Sequence, residues 1–378
     1  MNHELKEDMH IQKIEEEEEE YYSDDDLYNI TSWGVDMTFR ELMTLYKDGD
    51  LIKPEIQRKY VWDKIEASRF IESILMGLPV PSIFLASKGE KRLIVDGYQR
   101  IMTVRDFVNG VFSKDKSIFF LTKGEKINKR WGGKTFKQLD TTEQKRILIY
   151  SIHAIIFEQK SPKDDDTSLY QIFERINTGG RTLKPQEIRN CIYQGEFNKL
   201  LIKLNSNPIW RKLWGTKEGD DRMKDIEFIL RFFSLQSKDI WDKNKGQISL
   251  KKHLNLFMGS KESEKIPVLT KREEDFIDMI NFINDSFSKE AFFGLSKKED
   301  GTINSTRKIQ ITIFDSIAIA TIKALKSGKE INKKDLESRK EKLLFDEKYI
   351  EYTTIRTTNI EHIKGRINLA MKYLYDLE

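Results

Sequence analysis

Apolar residues recur at helical spacing in three early stretches of the chain, and a glycine follows each apolar face. An apolar face that repeats every three to four residues is typical of an amphipathic helix, and glycine favours the conformation in which helices end. The pattern therefore predicts helices within residues 37–51, 67–77 and 99–110, which end at Gly49, Gly77 and Gly110.

Short apolar runs lie between these helices and predict β-strands. Pro79 and Pro81 follow the end of the second helix at Gly77 and lead into the run "SIFLA", which has the length and composition of a strand. Further runs of this kind occupy residues 91–96 and 151–158. Short strands with intervening helices indicate a small α/β domain over residues 30–160.

The pattern becomes helical after the polar loop at residues 159–168 and stays helical to the end of the chain. Long apolar faces predict helices over residues 221–235, 273–287, 308–325 and 359–374. The predicted fold class is therefore α+β, in which the small α/β domain is followed by a mainly α-helical domain over residues 161–378.

The charge of the chain is unevenly distributed. Residues 1–30 contain 12 Asp and Glu against two Lys, whereas the remainder carries a net charge of +13. Residues 1–29 are predicted to be a disordered acidic tail, either simply solvated or a nucleic-acid mimic that covers a basic surface. A basic body of this size allows contact with phosphates but does not require it.

Several protein classes are excluded by what the sequence lacks. The single cysteine, Cys191, rules out a disulfide framework and is expected to be a small buried residue. The N-terminus has no apolar signal region, and no stretch is long enough to predict a membrane span, so we expect a cytoplasmic protein without membrane contact. Zinc-type His/Cys spacing, a P-loop and a nucleophile elbow are also missing.

A polar cluster stands where the strand at residues 91–96 meets the helix that follows. Gly97 lets the backbone approach a ligand closely, and Arg100 lies one helical turn later, where it could clamp phosphate oxygens. Asp96, at the carboxyl end of the strand, could hold Mg²⁺ or orient a water molecule. The alternative is a capped helix in which Asp96 bonds backbone amides and Arg100 pairs with a surface acid.

Two further polar clusters lie on either side of this one in the sequence. Gln57 and Arg58 follow Pro54, and the stretch "YQIFERINTGGRTLKPQEIRN" places Glu174 and Asn177 on one helix face. These two side chains offer oxygen ligands to a hard cation, and the neighbouring Arg175 adds a positive charge. The alternative for the third cluster is a helix C-cap with a solvated surface.

In this order the clusters resemble the GmrS-type family, which is named for the N-terminal domain of the GmrSD modification-dependent restriction enzymes and belongs to the ParB/sulfiredoxin-like superfamily. The likeness rests on "IQRKYVW", "FIESILMGLPVPSIFL", "IVDGYQRIMTVRDFVNG" and "IFERINTGGRTLKPQEIRN". It runs from about residue 38 to about residue 200, and the later "DIEFILRFFSL" and "TTNIEHIKGRI" resemble the helical portion of the family.

The resemblance implies a ParB-like nucleotide-handling domain that binds and hydrolyses a nucleoside triphosphate with Mg²⁺. On the matched positions it implies catalytic roles for Asp96, Gln99 and Arg100. It implies nucleotide contacts for Gln57, Arg58, Gly97, Tyr98 and Arg175, and a metal-binding role for Glu174 and Asn177. The implied function is that of a regulatory or sensor component of a prokaryotic anti-phage or restriction-type system, with DNA and a separately encoded nuclease or other effector as partners.

Two departures from the family pattern shape this expectation. The family usually reads Asp-Gly-Gln-Gln-Arg, and Tyr98 replaces the first Gln, so its ring either stacks on a base or points into the core. The restriction enzymes carry an HNH nuclease domain after this module, and the likeness does not include one. We therefore expect no DNA cleavage by this polypeptide alone.

Two other functions remain open from the residues. A DNA-binding module without catalysis is supported by the basic body and by residues 123–137, in which Trp131 and Phe136 alternate with lysines, although a charged surface loop would give the same pattern. A Mg²⁺-dependent nuclease would use Asp96 and Glu174. The sequence leaves the oligomeric state open, and a homo-oligomer is one of the alternatives.

Overall fold

The computed structural model describes residues 30–52, 60, 62–124, 127–160, 167–176, 184–243, 245–288, 290–297 and 303–377. They form two compact units, one within residues 23–194 and the other within residues 195–378. The predicted acidic tail, residues 1–29, lies outside the described residues.

A mixed β-sheet is the centre of the first unit. Its strands are β1 (Ile30–Thr38), β2 (Leu51–Ile52), β3 (Ile83–Lys88), β4 (Lys91–Asp96) and β5 (Ser151–Gln159), in the order β1-β5-β3-β4-β2. β1 is antiparallel to β5, and β3 is antiparallel to β4. β3 is parallel to β5, and β2 is parallel to β4. The predicted strands at residues 91–96 and 151–158 are confirmed as β4 and β5.

Helices pack around this sheet. They are α1 (Phe39–Asp48), α2 (Lys64–Met76), α3 (Tyr98–Asn109), α4 (Thr141–Ile149), α5 (Thr167–Ile176) and α6 (Pro185–Ile192). Gly49, Gly77 and Gly110 follow α1, α2 and α3 in the left-handed conformation, where an L side chain would be strained. The predicted ends of these three helices are therefore confirmed.

The core of the first unit is formed by apolar side chains of the sheet and of α1, α2 and α3. Fully buried examples are Phe39, Ile71, Ile83, Ile94, Ile101 and Phe107. Because strand β4 and helix α3 both contribute to this core, the turn between them has a fixed position.

The second unit is mainly helical. Its helices are α7 (Glu196–Asn205), α8 (Pro208–Trp214), α9 (Lys224–Ser234), α10 (Lys238–Trp241), α11 (Leu250–Gly259), α12 (Ile266–Ser286), α13 (Ile311–Lys326), α14 (Leu336–Leu344), α15 (Glu347–Thr354) and α16 (Ile360–Tyr375). An antiparallel hairpin, β6 (Phe293–Lys297) and β7 (Ile303–Ile309), precedes α13. The expectation that the chain stays helical after residue 168 is wrong at this hairpin.

A buried charged network joins three helices of the second unit. Asp315 of α13 accepts hydrogen bonds from the guanidinium groups of Arg231 on α9 and Arg366 on α16. Arg366 also donates to the carbonyl oxygen of Thr357 at 2.7 Å. All three charged side chains are buried, and Asp315 supplies the negative charge that both guanidinium groups require.

The predicted α+β fold class is confirmed by this arrangement. The compact units divide at residues 194 and 195, whereas the sequence prediction places its boundary at residue 160. The Nζ of Lys88, at the end of β3, donates to the carbonyl oxygen of Ile192 in α6 at 3.2 Å, which ties α6 to the first unit. In the described part of the chain, no helix has the length and apolar character needed to span a membrane.

Candidate functional site

The turn from β4 to α3 requires glycine. Gly97 has φ of 101° and ψ of 2°, a left-handed conformation that L side chains rarely adopt. A Cβ atom at this position would lie 2.2 Å from Cγ2 of the buried Ile83. Space and backbone conformation therefore exclude a side chain here, and the Gly97 backbone lies directly against the start of β3.

Arg100 and Asp96 meet at this turn. One Arg100 nitrogen, Nη2, donates to Oδ2 of Asp96, while Nη1 donates to the carbonyl oxygens of Pro81 at 3.0 Å and Ser82 at 2.8 Å. The side chain of Arg100 is 12% exposed and that of Asp96 is 42% exposed. The guanidinium group is thus held in place by three acceptors, and the carboxylate remains accessible to solvent.

This arrangement differs from the capped helix that the sequence left open as an alternative. Asp96 is not paired with helix amides, and the acid that pairs with Arg100 is Asp96 itself, among the residues that the structure describes. A β-bulge in the pairing of β3 with β4, between Phe84 and Leu85, lies next to Asp96 in the register. Bulges of this kind change the direction of a strand end, and they are common beside functional sites.

Tyr98 lies in the hydrophobic core of the first unit. Burial raises the pKa of its hydroxyl above the ordinary value of a tyrosine, so the group stays protonated at neutral pH. The ring therefore points into the core. Stacking on a base would require an exposed ring face.

Gln99 faces the segment that precedes α2. Its Oε1 accepts a hydrogen bond from the backbone amide of Trp62 at 3.4 Å. The hydroxyl of Tyr60 lies 2.6 Å from Oγ1 of Thr103, one turn further along α3. Gln57 and Arg58 lie outside the described residues, but Tyr60 and Trp62, which follow them, both contact α3.

The third predicted cluster is divided between a described helix and residues outside the description. Glu174 is half-buried and Arg175 is exposed, both near the end of α5, while Asn177 lies outside the described residues. In the described part of the chain, neither Glu174 nor Arg175 forms an ion pair with Asp96 or Arg100. Residues 96–100 therefore lie together at one turn. Glu174 and Arg175 belong to the same compact unit, but in its described part they form no ion pair with the charged residues of that turn.

Helix α6 carries a buried polar network that is not among the predicted site residues. Gln186 donates to Oδ1 of Asn190 at 2.7 Å and accepts from Nη1 of Arg189 at 3.0 Å, and all three side chains are buried. Among the described residues, the amide of the buried Gln171 on α5 has no hydrogen-bond partner. The sequence signal for this network is the run of polar residues in "KPQEIRN". Helical periodicity alone would assign these residues to a solvated helix face.

The basic stretch at residues 123–137 does not present its aromatic rings to solvent. Trp131 and Phe136 are buried, and Nε1 of Trp131 donates to Oε1 of Glu143 at 2.7 Å. Arg130 donates to the same carboxylate oxygen at 2.8 Å. Because both rings are needed in the core, their alternation with lysines does not support DNA binding.

The carboxylates near the turn are single residues rather than a preformed acidic cluster. Within the described ranges, no group of three or more His, Cys, Asp and Glu side chains could hold a metal ion. Mg²⁺ in nucleotide sites is usually held by one or two carboxylates together with phosphates and water. Accessible Asp96 fits that requirement.

Part of the chain matches a known protein family. Residues 39–194 match the family described as "GmrSD restriction endonuclease, N-terminal domain". The match ends with the first compact unit and includes the β4–α3 turn, α5 and α6. No curated protein and no solved structure matches the chain.

Proposed function

Residues 39–194 belong to the N-terminal domain family of the GmrSD restriction endonucleases, and on this premise we propose that the chain binds and hydrolyses a nucleoside triphosphate with Mg²⁺. It would do so as a regulatory or sensor component of a prokaryotic anti-phage defence system. The β4–α3 turn carries the proposal, because residues 96–100 combine a glycine with positive φ, an accessible carboxylate and an oriented guanidinium group.

The start of α3 suits a phosphate group. The N-cap of this 12-residue helix is Gly97, which has no side chain to accept from the first-turn amides, whereas Asp63 and Asp140 do so at α2 and α4. The positive end of a helix dipole attracts anions, and a glycine there permits close approach. A phosphate oxygen would take the place that a capping side chain occupies in the other two helices.

Arg100 and Asp96 have different roles in this proposal. Arg100 contributes a fixed positive charge, because two carbonyl oxygens and one carboxylate orient its guanidinium group. A charge that is oriented before binding stabilises the negative charge of a transferring phosphoryl group without reorganisation. Asp96 contributes an accessible carboxylate that can orient the attacking water or a metal ion.

The magnesium ion would be held by Asp96 and, on α5, by Glu174. When bound, Mg²⁺ neutralises phosphate charge. The contact with the Trp62 amide positions Gln99 at the N-terminal end of α3, where the phosphate would bind. Gln99 can there hydrogen-bond a nucleotide oxygen or a water molecule. Arg175 is exposed one residue after Glu174 and would contact the nucleotide from α5.

The test is phosphate release from each of the four ribonucleoside triphosphates with Mg²⁺, together with equilibrium binding of a fluorescent nucleotide. We expect Asp96→Asn to reduce hydrolysis by about 100-fold or more, as is typical when a group that positions water is lost. Arg100→Lys should weaken nucleotide binding, because a lysine cannot reproduce the planar fork of hydrogen bonds.

Arg105→Ala and Asp48→Asn are the matched controls, since both residues are accessible and Arg105 lies on the same helix. Their hydrolysis and binding should equal those of the wild type. Unchanged hydrolysis in Asp96→Asn and Arg100→Lys would contradict the site. Nicking of plasmid DNA by the pure wild type, lost in Asp96→Asn, would instead support a Mg²⁺-dependent nuclease.

A further inference from the structure

Two lysines converge on one tryptophan in the second unit. The Nζ of Lys323, on α13, lies 2.9 Å from the centre of the Trp241 ring, and the Nζ of Lys364, on α16, lies 5.7 Å from it. We call these three residues the Trp241 cluster. All three residues are half-buried, and both ammonium groups lie against the same indole ring.

The cluster is held rigidly by backbone contacts. Nε1 of Trp241 donates to the carbonyl oxygen of Leu235 at 2.9 Å, which fixes the plane of the indole ring. The Nζ of Lys364 donates to the carbonyl oxygen of Trp241 at 2.6 Å and to that of Lys243. The positions of the ring and of one ammonium group are thus set before any ligand arrives.

The positive charge of the cluster has no counter-ion among the described residues. Neither Lys323 nor Lys364 forms an ion pair there, whereas Lys326 on the same helix pairs with Asp275 and buried Lys340 lies 3.6 Å from Glu337. Burial and the charge of Lys364 lower the pKa of Lys323 to about 8. The repulsion between two close ammonium groups without an anion is unfavourable in free energy, and a bound anion removes that cost.

The ammonium group of Lys323 also lacks hydrogen-bond acceptors among the described residues. In the described part of the chain its ammonium group contacts the Trp241 ring and makes no hydrogen bond to an oxygen. The ring attracts the cation through its π face but leaves the N–H donors available. An ammonium group held in this way can donate to an incoming oxygen anion without first breaking a hydrogen bond.

We propose that the Trp241 cluster is a binding site for backbone phosphates of a nucleic-acid strand. Lys323 and Lys364 would contact the phosphate oxygens, while Trp241 holds Lys323 in position. The exposed Lys243 and Lys245 continue the positive charge along the loop after α10, as an extended polyanion requires. The site lies outside residues 39–194 and is independent of the proposed nucleotide site.

The experiment measures binding of the full chain to fluorescein-labelled single-stranded and duplex DNA over a range of salt concentrations. Lys323→Gln is the main variant, because its ammonium group makes no hydrogen bond that the fold needs. We expect weaker binding and a slope of log K against log salt reduced by about 1, and by about 2 when Lys364→Gln is added. Lys326→Gln on α13 and Lys372→Gln on α16 are the controls and should bind as the wild type does.

A second measurement covers the case in which a variant folds poorly. DNA should protect Lys323 of the wild type from acetylation at pH 8, as measured by peptide mass mapping, and should leave Lys372 unprotected. Protection by inorganic phosphate or by a free nucleotide without protection by DNA would overturn the nucleic-acid assignment. Wild-type affinity and salt slope in Lys323→Gln would overturn it as well. Because nucleotide hydrolysis is assigned to residues 96–100, its loss or retention has no bearing on this result.

Discussion

The Asp96 carboxylate accepts a hydrogen bond from the guanidinium group of Arg100, four residues further along the chain. The same guanidinium group donates to the carbonyl oxygens of Pro81 and Ser82, just before β3. One arginine therefore fixes the end of β4 and the start of β3 at the same point. Its partner Asp96 is the more exposed member of the pair, and the two residues have separable roles in stability and in chemistry.

Arg100→Ala should destabilise the protein more than Asp96→Ala does. Removing the guanidinium group leaves two carbonyl oxygens and a carboxylate without their donor, at a cost of about 1–3 kcal/mol. Removing the partly exposed carboxylate should cost about 1 kcal/mol or less. Urea unfolding measures both, with Arg105→Ala on the same helix as the control. Equal destabilisation by the two variants would show that the carbonyl contacts contribute nothing.

Gly97→Ala should destabilise the first unit by about 2–4 kcal/mol, because the left-handed conformation and the contact with Ile83 both oppose a methyl group. Gly110→Ala is the matched control. It also has a positive φ, but a Cβ atom there would have nothing within 4 Å, so only the conformational cost of about 1 kcal/mol applies. Similar unfolding midpoints for the two variants would contradict the steric part of this prediction.

Asp315→Asn should destabilise the second unit by about 3–5 kcal/mol, because it leaves the buried guanidinium groups of Arg231 and Arg366 without a negative charge. The control is Asp275→Asn, which breaks the surface pair with Lys326 and should cost about 1 kcal/mol or less. Thermal unfolding followed by circular dichroism distinguishes them. A small effect of Asp315→Asn would mean that water reaches the network.

The stability contributed at Lys323 should rise with pH between about 8 and 10.5. The pKa of Lys323 is lowered to about 8 in the folded protein from the ordinary 10.5. Between these two pH values the unfolded chain binds more protons, so a rise in pH stabilises the folded protein relative to the unfolded chain. Lys364 is the charged neighbour that contributes, after burial, to the lowered pKa. Urea unfolding at pH 7 and pH 9.5 should show a gain for the wild type relative to Lys323→Met. A pH-independent difference would contradict it.

Helices α1, α2 and α3 of the first unit could be predicted from the sequence because their stops are local. The left-handed glycines at the ends of α1, α2 and α3 act within a few residues of each helix. β1 and the β6–β7 hairpin could not be predicted in this way. Most of β1 is exposed, and it pairs with β5 more than a hundred residues away.

The position of the candidate site could be predicted, but the partners of its side chains could not. The letters around Asp96 and Gly97 identify a strand-to-helix turn with glycine. The acceptors of Arg100 at Pro81 and Ser82 depend on how β3 and β4 pair, and the burial of Tyr98 depends on the packing of α3 against the sheet. Such contacts arise from tertiary structure, and spacing along the chain does not specify them.

The hydrogen bond from Lys88 to the Ile192 carbonyl joins residues 104 positions apart in the sequence. It places the end of α6 beside the β3–β4 hairpin, whose other strand leads directly into Asp96. A recombinant fragment that stops at residue 160 would lose α5, α6 and this attachment, and with them the acceptor for Lys88. A fragment that extends through Gln194 retains it, so tests of the proposed nucleotide reaction should begin from residues 30–194.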